Sequence, residues 1–390
     1  MTANIVVLGG GYAGVMAANR VAGRMGRAAR VTLVSDREDL VHRVRLHEVI
    51  AGRAWKRYPL ASLLRRRIEL VRGRVERVSV GSIDLADRSI PPIPYDQLIV
   101  ALGSRIELDT PGAAEHAGWL ATLERALAAR ERIATLGAGA PVVVIGGGLT
   151  AIETASEIAE ARPELRVTMV AQTLGAGLSD EARAYVRATL AELGVELREG
   201  VSVTRVEPDA VLVDAHERVR ASIAIWAGGF TARSAASGLP LAADGRILVD
   251  DRLAVPGLRG VWACGDGASP PRGLEFARMA CATAMPMAAH AADNVARVLR
   301  ERDARPWRFG FFGKCISLGR RRAVVQATDA RDAPTGHVYT ARTAAMIKEA
   351  ICRFVIGSLR FERRWAGTYR WPRSVRALAL PPAPAVLELT

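Results

Sequence analysis

Three glycines of the sequence stand at the spacing that a phosphate-binding turn requires. Gly9, Gly11 and Gly14 form a GxGxxG pattern directly after an apolar, β-branched run. In such a turn the first glycine permits a tight bend, the second lets the backbone approach a pyrophosphate, and the third lets the following helix pack against the strand. The helix then presents free N–H groups and the positive end of its dipole to the phosphates. The spacing therefore predicts a dinucleotide site, with Asp36 near the ribose hydroxyls.

A second glycine turn follows 137 residues later, counted from Gly9 to Gly146. Gly146 and Gly148 repeat the first two positions, and the small residue Ala151 takes the third. The next strand ends at Gln172 without an acidic residue, so the usual distinction between NADH and NADPH cannot be read here. The absence of an acidic residue slightly favours NADPH over NADH, or weak binding of either dinucleotide. A degenerate half that binds no dinucleotide is the alternative.

Each turn needs two strands and a helix to hold it in place. IVVLGGGYAGVMAA begins at Ile5 and VVVIGGGLTAIETA begins at Val142, and each leads to a second β-branched run. Continuous apolar runs on both sides of an amphipathic stretch predict a βαβ unit in a buried parallel sheet. Two such units, far apart, predict an α/β fold with two Rossmann-like dinucleotide-binding domains rather than a solenoid.

The composition limits the classes of protein that remain. The 390 residues, 50% of them hydrophobic, suffice for two or three domains and exclude a disordered chain. The four cysteines form no CxxC pair, which argues against a disulfide framework and a zinc site. No apolar run reaches the ~18 residues of a spanning helix, and no signal-peptide pattern opens the sequence. We therefore expect a cytoplasmic protein without a metal.

The formal net charge of +14 first suggests a nucleic-acid partner. Lys56, Lys314 and Lys348 are the only lysines, which leaves 51 of the 54 basic residues as arginine, and alanine is also very frequent. This bias is typical of a GC-rich gene and spreads the charge over the surface. We therefore predict no nucleic-acid partner.

Three further motifs complete a resemblance to a known superfamily. YDQLIVALGS spans 95–104, IAIWAGGF spans 223–230 and GVWACGDGA spans 260–268. With both glycine turns, they resemble the flavoproteins with two dinucleotide-binding domains, the pyridine nucleotide–disulfide oxidoreductase superfamily. Within it the sequence looks most like type II NADH dehydrogenases and related FAD-dependent oxidoreductases, over roughly residues 1–325. The resemblance implies two cofactors, FAD and NADH or NADPH.

The resemblance also implies a division of the chain and a set of cofactor-binding residues. The FAD-binding domain would be discontinuous (1–112 and 251–300), with the NAD(P)-binding domain at 113–250 and a small α+β C-terminal domain at 301–390. The residues implied for FAD are Gly9, Gly11, Tyr12, Ala13, Gly14, Asp36, Arg43, Val75, Ala101, Leu102, Gly103, Gly265, Asp266, Ala280 and Cys281. Those implied for the nicotinamide dinucleotide are Gly146, Gly148, Leu149, Thr150, Gly228 and Gly229.

Three residues are candidates for a catalytic role: Glu153, Arg45 and His47. We expect Glu153 in the first turn of its helix, where a carboxylate acts either on the nicotinamide side or only on the helix dipole. The stretch LVHRVRLHEVIAGR contains no cysteine, which excludes a thiol relay there. If that stretch is extended, Arg43, Arg45 and His47 share one face beside the flavin. A solvated basic face is the alternative.

The implied reaction passes hydride from nicotinamide to flavin and electrons on to a quinone-like acceptor. The family has glutamines at the start of the helix under the flavin, but FARMACATAMPMAAHAA contains none. Helix N–H groups around Ala280 to Ala282 could still stabilise negative charge on the flavin. Two alternatives remain open: a biosynthetic flavin-dependent oxidase or reductase acting on a small aromatic metabolite with little or no nicotinamide use, and a non-enzymatic FAD-bound redox sensor.

The C-terminal segment is basic and amphipathic. FGFFGKCISLGRRRAVV (309–325) predicts a hairpin, and residues 340–376 carry nine Lys/Arg against two acids. Ile351, Phe354 and Leu359 stand at helical spacing. Such a helix either lies on an anionic membrane surface, on the inner face of the membrane, or packs on the flavin domain. A homodimer is also left open.

Overall fold

The first part of the chain builds one parallel sheet and a small antiparallel one. The computed structural model describes residues 2–214, 217–232 and 237–379. Its first elements are β1 (Ala3–Leu8), α1 (Tyr12–Met25), β2 (Ala29–Ser35), α2 (Leu46–Ile50), α3 (Leu60–Leu63), β3 (Ile68–Arg72), β4 (Val75–Ser79), β5 (Ser82–Leu85), β6 (Ile93–Pro94), β7 (Gln97–Val100) and β8 (Ser104–Ile106).

The middle of the chain repeats the pattern. Its elements are α4 (Ala113–His116), β9 (Ala117–Trp119), α5 (Leu123–Ala134), β10 (Pro141–Ile145), α6 (Leu149–Ala161), β11 (Arg166–Ala171), α7 (Asp180–Glu192), β12 (Glu196–Glu199), β13 (Val203–Val206), β14 (Ala210–Val213), β15 (Glu217–Arg220), β16 (Ile223–Trp226) and β17 (Phe230–Ala232).

The last part returns to the first sheet and then adds a C-terminal unit. Its elements are β18 (Val261–Ala263), α8 (Cys281–Val298), β19 (Arg308–Phe309), β20 (Gly313–Leu318), β21 (Arg322–Thr328), β22 (Pro334–Tyr339), α9 (Ala341–Arg364) and β23 (Val375–Arg376).

Two five-stranded parallel sheets organise the molecule. The first has the order β18-β7-β1-β2-β3 and the second the order β12-β11-β10-β16-β9. In each sheet the strand before the glycine turn is central and its apolar side chains are buried, as expected when helices cover both faces. The predicted α/β fold with two Rossmann-like units is confirmed, and so is the predicted hairpin, formed by β20 and β21.

The hydrophobic cores cross the boundaries between these units. Trp307, Phe309 and Leu359 from the C-terminal unit are buried in the core of the first sheet. Ile316 and Leu318 of β20 are buried in the core of the second. The C-terminal unit is therefore packed against both dinucleotide-binding halves.

The structure corrects the conformation expected for the basic segment after β2. Arg43–Arg45 form a 3-10 turn and Leu46–Ile50 form α2, so the side chains of Arg45 and His47 do not alternate along a strand. The side chains of α2 are buried in the core of the second sheet. The apolar face of this short helix decides the conformation, because its burial requires helical spacing.

Candidate functional site

The first glycine turn joins β1 to α1 at the carboxyl end of its sheet. Gly9 has φ +107°, and a Cβ there would lie 2.3 Å from the carbonyl oxygen of Ala101, so only glycine fits. Gly11 is the N-cap residue of α1; no side chain in the described ranges caps it, and no described atom lies within 4 Å of a Cβ built on it. The N–H groups of α1 therefore face open space that a phosphate group can enter.

A polar chain runs beside this turn. The Arg43 guanidinium donates to Ser104 Oγ (3.2 Å), and Ser104 Oγ donates to Asp266 Oδ2 (2.9 Å). Burial raises the pKa of Asp266, while the Ser104 hydroxyl and the Arg43 charge act in the opposite direction. The second oxygen of a carboxylate has acceptor capacity for ligand hydroxyls.

A second contact fixes the segment after β2 against the start of α1. The Tyr12 hydroxyl lies 2.9 Å from His42 Nδ1 and accepts a hydrogen bond from the Val44 N–H at 3.5 Å. Burial lowers the pKa of His42 to about 4, so its imidazole is neutral at neutral pH.

The N-terminus of α8 completes the surroundings of the first turn. Ala280 is its N-cap residue, and none of the described side chains caps the helix. A Cβ on Gly265 would lie 3.1 Å from the Cβ of Ala13, which places the loop before α8 against α1. Burial raises the pKa of the Cys281 thiol to about 11, so it stays protonated. The buried Thr283 hydroxyl has no hydrogen-bond partner in the described part of the chain, which marks a polar site that a bound group could complete.

The second glycine turn has the same construction at the second sheet. Gly146 has φ +126°, and a Cβ there would lie 2.8 Å from the carbonyl oxygen of Ala227. Gly148 is the N-cap residue of α6, again without a side-chain cap from any described residue, and a Cβ built on it would meet no other described segment within 4 Å. Ala151 is fully buried, so the helix packs on the strand with alanine in the third position.

The exit from β16 lies beside this second turn. A Cβ on Gly228 would lie 2.8 Å from Trp226 Nε1, and one on Gly229 would lie 2.9 Å from Glu107 Oε2. Leu149 and Thr150 are the first two residues of α6, next to the same exit. Both distances are shorter than an ordinary carbon contact, so glycine is the residue that fits at each position without a shift of its neighbour.

A buried polar cluster joins α2, α6, β20 and α9. The Lys348 ammonium lies 2.7 Å from Glu153 Oε1, which also accepts hydrogen bonds from the Ser317 N–H (3.1 Å) and hydroxyl (3.2 Å). His47 Nε2 lies 3.2 Å from Ser317 Oγ, and its Nδ1 lies 3.7 Å from Glu153 Oε2. We call Glu153, Lys348, Ser317 and His47 the buried cluster.

Charge–charge interactions set the protonation of the buried cluster. Burial by itself would raise the pKa of Glu153, but the charge and hydrogen bond of the Lys348 ammonium, with the Ser317 N–H, favour the ionised form and the net shift is downward. Burial likewise opposes the charge of Lys348, and Glu153 raises its pKa. The pKa of His47 is lowered, chiefly by burial. At neutral pH the buried cluster holds an ionised carboxylate, an ammonium and a neutral imidazole.

Two expectations about the catalytic candidates are corrected. α6 begins at Leu149, so Glu153 lies in its second turn, and its partner is Lys348 rather than the helix dipole. Arg45 does not join His47 on one face: it forms ion pairs with Glu48 and Glu349, each at 2.7 Å. These acids are available to Arg45 because the segment is helical and packs under α9.

Two predicted cofactor-binding residues lie at the edges of the first site. Asp36 follows the last residue of β2 and is exposed, whereas Val75 is the buried first residue of β4. The residues brought together around the first glycine turn are Gly9, Gly11, Tyr12, Ala13, Gly14, Arg43, Ala101, Leu102, Gly103, Gly265, Asp266, Ala280 and Cys281.

Sequence reasoning missed Ser104, Ser317 and Lys348. Ser104 and Ser317 follow no pattern, and their roles arise only when distant strands meet. Lys348 did carry a signal, because lysine is very rare in this arginine-rich chain. Rarity alone does not single out Lys348, since Lys56 is equally rare and exposed.

Neither a metal cluster nor a membrane span occurs in the described ranges. No group of three or more His, Cys, Asp or Glu side chains there could hold a metal ion. No helix among the described residues is both long and apolar enough to cross a bilayer. The four cysteines are free, and Cys264 and Cys352 are buried.

The molecule has two parallel sheets, and in each the central strand leads through a glycine turn into a helix. No described side chain caps either helix N-terminus. This construction defines a protein with two dinucleotide-binding domains. The profile of the pyridine nucleotide-disulphide oxidoreductase family matches residues 3–292. The chain belongs to this family and is an FAD-dependent oxidoreductase.

Curated relatives cover most of the chain. An NADH dehydrogenase-like protein of Mycobacterium tuberculosis is 30% identical over 348 residues, which are 82% of this chain and 86% of the relative. The type II NADH:quinone oxidoreductase of Haemophilus influenzae is 22% identical over 395 residues, 84% of this chain and 87% of that protein. At the level of the family, these similarities indicate a flavoprotein that oxidises NAD(P)H with a quinone acceptor.

Solved structures share the fold over nearly the whole chain. The sulfide:quinone oxidoreductase of Aquifex aeolicus superposes with a TM-score of 0.78 at 21% identity, covering 93% of this chain and 92% of that one. NDH2 of Plasmodium falciparum in complex with NADH superposes with a TM-score of 0.75 at 14% identity, covering 95% and 99%. At these identities the similarity shows the fold alone.

Proposed function

We propose that this protein is an FAD-dependent NAD(P)H oxidoreductase that passes hydride from nicotinamide to flavin and electrons on to a quinone-like acceptor. The observation that carries the proposal is the pair of glycine turns at the carboxyl ends of two sheets in one molecule, each followed by a helix that no described side chain caps. One turn suits FAD and the other suits the nicotinamide dinucleotide.

The residues around the first turn fit FAD. Gly11 and the first N–H groups of α1 would hold the pyrophosphate, and Asp266 would accept hydrogen bonds from the ribityl hydroxyls. The N-terminus of α8, at Cys281, would face negative charge on the reduced ring. When bound, FAD supplies the redox chemistry: it accepts a hydride and gives up electrons to an acceptor.

The residues around the second turn fit a nicotinamide dinucleotide. Gly148 and the N-terminal N–H groups of α6 would hold its pyrophosphate, with Gly228 and Gly229 at the exit from β16. Glu153, held ionised by Lys348, would fix the position of α6 against β20 and α9. We propose this positioning role for Glu153 and His47 in place of a direct chemical step, because both are buried and each contacts the C-terminal unit.

The names of the relatives support a quinone-like acceptor. The start of α8 carries Cys281 and Ala282 and no glutamine, so recognition of the acceptor would rest on backbone N–H groups and shape rather than on amide side chains. Small aromatic acceptors of different substitution should therefore be discriminated weakly.

Anaerobic stopped-flow mixing tests the proposal. The flavin absorbance of the purified yellow protein should bleach with NADH or NADPH, and a soluble quinone should restore it faster than oxygen does. Bleaching by neither nucleotide contradicts nicotinamide use and favours the oxidase or reductase of a small aromatic metabolite. Bleaching followed by reoxidation with oxygen alone contradicts the quinone-like acceptor.

We also propose that one face of α9 contacts a membrane surface. Met346, Phe354, Phe361 and the adjoining Trp365 are exposed at 54–68% and follow one another at helical spacing. The exposed arginines beside them, Arg342, Arg353, Arg360 and Arg364, complement anionic headgroups. The opposite face packs on the core of the first sheet through buried residues such as Val355 and Leu359, so the membrane contact is proposed for the exposed face alone.

A further inference from the structure

A second concave site lies away from both glycine turns. It is a cavity of about 410 Å³ between the C-terminal ends of α1 and α8 and the segments around residues 302–308 and 370–373. Nine arginines line it, and Asp293 is the one carboxylate among its lining residues. We call it the arginine cavity. We propose that the arginine cavity binds an anion that carries two or more phosphate groups.

Part of the cavity wall is fixed in place. Arg20 is buried and makes a two-pronged contact with Asp293, Nε to Oδ1 at 3.0 Å and Nη2 to Oδ2 at 2.9 Å. The same carboxylate pairs with Arg24 at 3.1 Å, so its single charge is shared by two guanidiniums. Arg20 also pairs with the buried Glu362 at 3.4 Å, so this part of the wall is preorganised and the excess positive charge of the cavity comes from its other seven arginines.

Other arginines of the wall are held by neutral groups. Arg297 donates to the carbonyl oxygen of Asp303 at 2.6 Å, and Arg308 donates to that of Arg373 at 3.1 Å. A backbone carbonyl orients a guanidinium but does not cancel its charge. These hydrogen bonds hold the guanidinium groups of two lining residues in place and leave their positive charge uncompensated.

The remaining cations have no acidic partner. In the described part of the chain, Arg302, Arg305 and Arg370 make no side-chain hydrogen bond or ion pair. Elsewhere on the surface arginines pair with acids, as Arg187 does with Glu199 at 2.7 Å. The arginine-rich composition of the chain accounts for a large number of surface arginines. It does not account for the grouping of several arginines without an acidic partner in one cavity.

The electrostatics of the wall agree with this geometry. The pKa of Arg373 is lowered, first by burial; Asp293 raises it, whereas Arg20 and the neighbouring arginines lower it further. Burial lowers the pKa of His290 to about 4, so this lining residue adds no charge at neutral pH. Like charges concentrated in a concave, low-dielectric wall attract anions.

The number and type of cations indicate the ligand. Guanidinium groups match phosphate oxygens in paired hydrogen bonds. One phosphate monoester carries at most about two negative charges, which would leave most of the nine arginines uncompensated. Two sources of a ligand with several phosphates exist: a free polyphosphate or nucleotide, and a lipid headgroup with two phosphates.

The arginine cavity is separate from the dinucleotide sites. Arg24 lies about 18 Å along the axis of α1 from Tyr12, at the opposite end of the helix from the glycine turn. Arg20 also contacts Glu362 of α9 at 3.4 Å, so the cavity adjoins the end of the helix for which we propose membrane contact.

Titration calorimetry of the FAD-loaded protein with inorganic tripolyphosphate and with orthophosphate tests the proposal. The matched variants are Arg305→Glu/Arg370→Glu in the cavity and Arg205→Glu/Arg220→Glu, two exposed arginines of β13 and β15. We expect tripolyphosphate to bind the wild type and the control more tightly than orthophosphate does. Binding to the cavity variant should weaken roughly tenfold or more, since two guanidinium contacts are lost and two negative charges are introduced.

Vesicles distinguish the two sources of phosphate. Phosphatidylcholine vesicles with and without cardiolipin are sedimented with the same three proteins. Cavity-dependent binding of tripolyphosphate supports a free ligand, and cavity-dependent binding of the cardiolipin vesicles alone supports a lipid headgroup. If neither probe separates the cavity variant from the control, or if orthophosphate binds as tightly as tripolyphosphate, the proposal is wrong. NADH oxidation and flavin absorbance should equal the wild type in all variants, and Arg302→Ala replaces the double variant if that fails to fold.

Discussion

Single side chains decide how the two halves and the C-terminal unit are joined. The ion pair between Glu153 and Lys348 is buried, and its remaining hydrogen-bonding capacity is used by Ser317. A buried pair of this kind contributes little over an apolar replacement, but removal of one partner leaves an uncompensated charge. The pair therefore acts mainly to fix which face of α9 meets α6.

Lys348→Met should destabilise the protein by about 3–5 kcal/mol, because it leaves the Glu153 carboxylate buried without its cation. Urea unfolding followed by tryptophan fluorescence measures the change. Glu153→Gln/Lys348→Met, which removes both charges, is the control and should recover most of the loss. A single variant as stable as the double one would show that the carboxylate is satisfied by other groups.

A partly buried, neutral histidine makes the stability of the fold depend on pH. Burial lowers the pKa of His42 to about 4 from an ordinary value near 6.5. Between these values the unfolded chain binds a proton that the folded protein does not, so the free energy of unfolding falls as pH decreases. His42 alone should contribute a slope of up to about 1.4 kcal/mol per pH unit.

His42→Asn should flatten the pH dependence of stability between about pH 6.5 and 4. Urea midpoints at a series of pH values measure this slope. His337→Asn, which changes an exposed side chain, is the matched control. Equal slopes in the two variants would contradict a partly buried, neutral His42.

At the scale of elements, each glycine turn combines two different requirements. Gly146 lies where a Cβ would meet the backbone of Ala227, whereas Gly148 borders open space. The first position is demanded by the fold and the second by a ligand that approaches the helix N-terminus.

Gly146→Ala and Gly148→Ala should therefore behave differently. Gly146→Ala should destabilise the second half by more than about 1 kcal/mol, because its φ of +126° and the close carbonyl both oppose a side chain. Gly148→Ala should change the free energy of unfolding by less than about 0.5 kcal/mol, and it should weaken the binding of the nicotinamide dinucleotide. Thermal unfolding and NADH titration measure the two effects, and equal loss of stability in both variants would contradict the distinction.

Helix α9 is an element with one packed and one exposed face. Phe354→Ser/Phe361→Ser removes two exposed aromatic rings without touching the buried face. Association with anionic liposomes should fall severalfold, while NADH oxidation with a soluble quinone stays unchanged. Phe312→Ser, an exposed phenylalanine outside α9, is the control. If the double variant binds liposomes as the wild type does but has a smaller molecular mass in light scattering, the exposed face of α9 contacts a second copy of the chain rather than a membrane.

Across the whole molecule, what the sequence could predict follows from the range of the interactions. The glycine turns and their strands were predictable because the glycine spacing that begins at Gly9 and at Gly146 is a pattern within one segment. Helix α9 was predictable for the same reason, from the helical spacing of apolar residues such as Leu359. The partner of Glu153 was not, because Lys348 comes from the far end of the chain and meets it only after three units have packed. The helical form of Arg43–Arg45 was missed for the same reason, since the core that buries α2 belongs to the other half.

The packing of the C-terminal unit on both halves has a mechanical consequence. β20 contacts α6 while α9 contacts α1, so one continuous segment bridges the helices that follow the two glycine turns. The angle between the halves is thereby set by covalent chain and apolar packing, before any dinucleotide arrives. We therefore expect little hinge motion on dinucleotide binding, and the rate of flavin bleaching by saturating NADH in stopped flow should be insensitive to solvent viscosity.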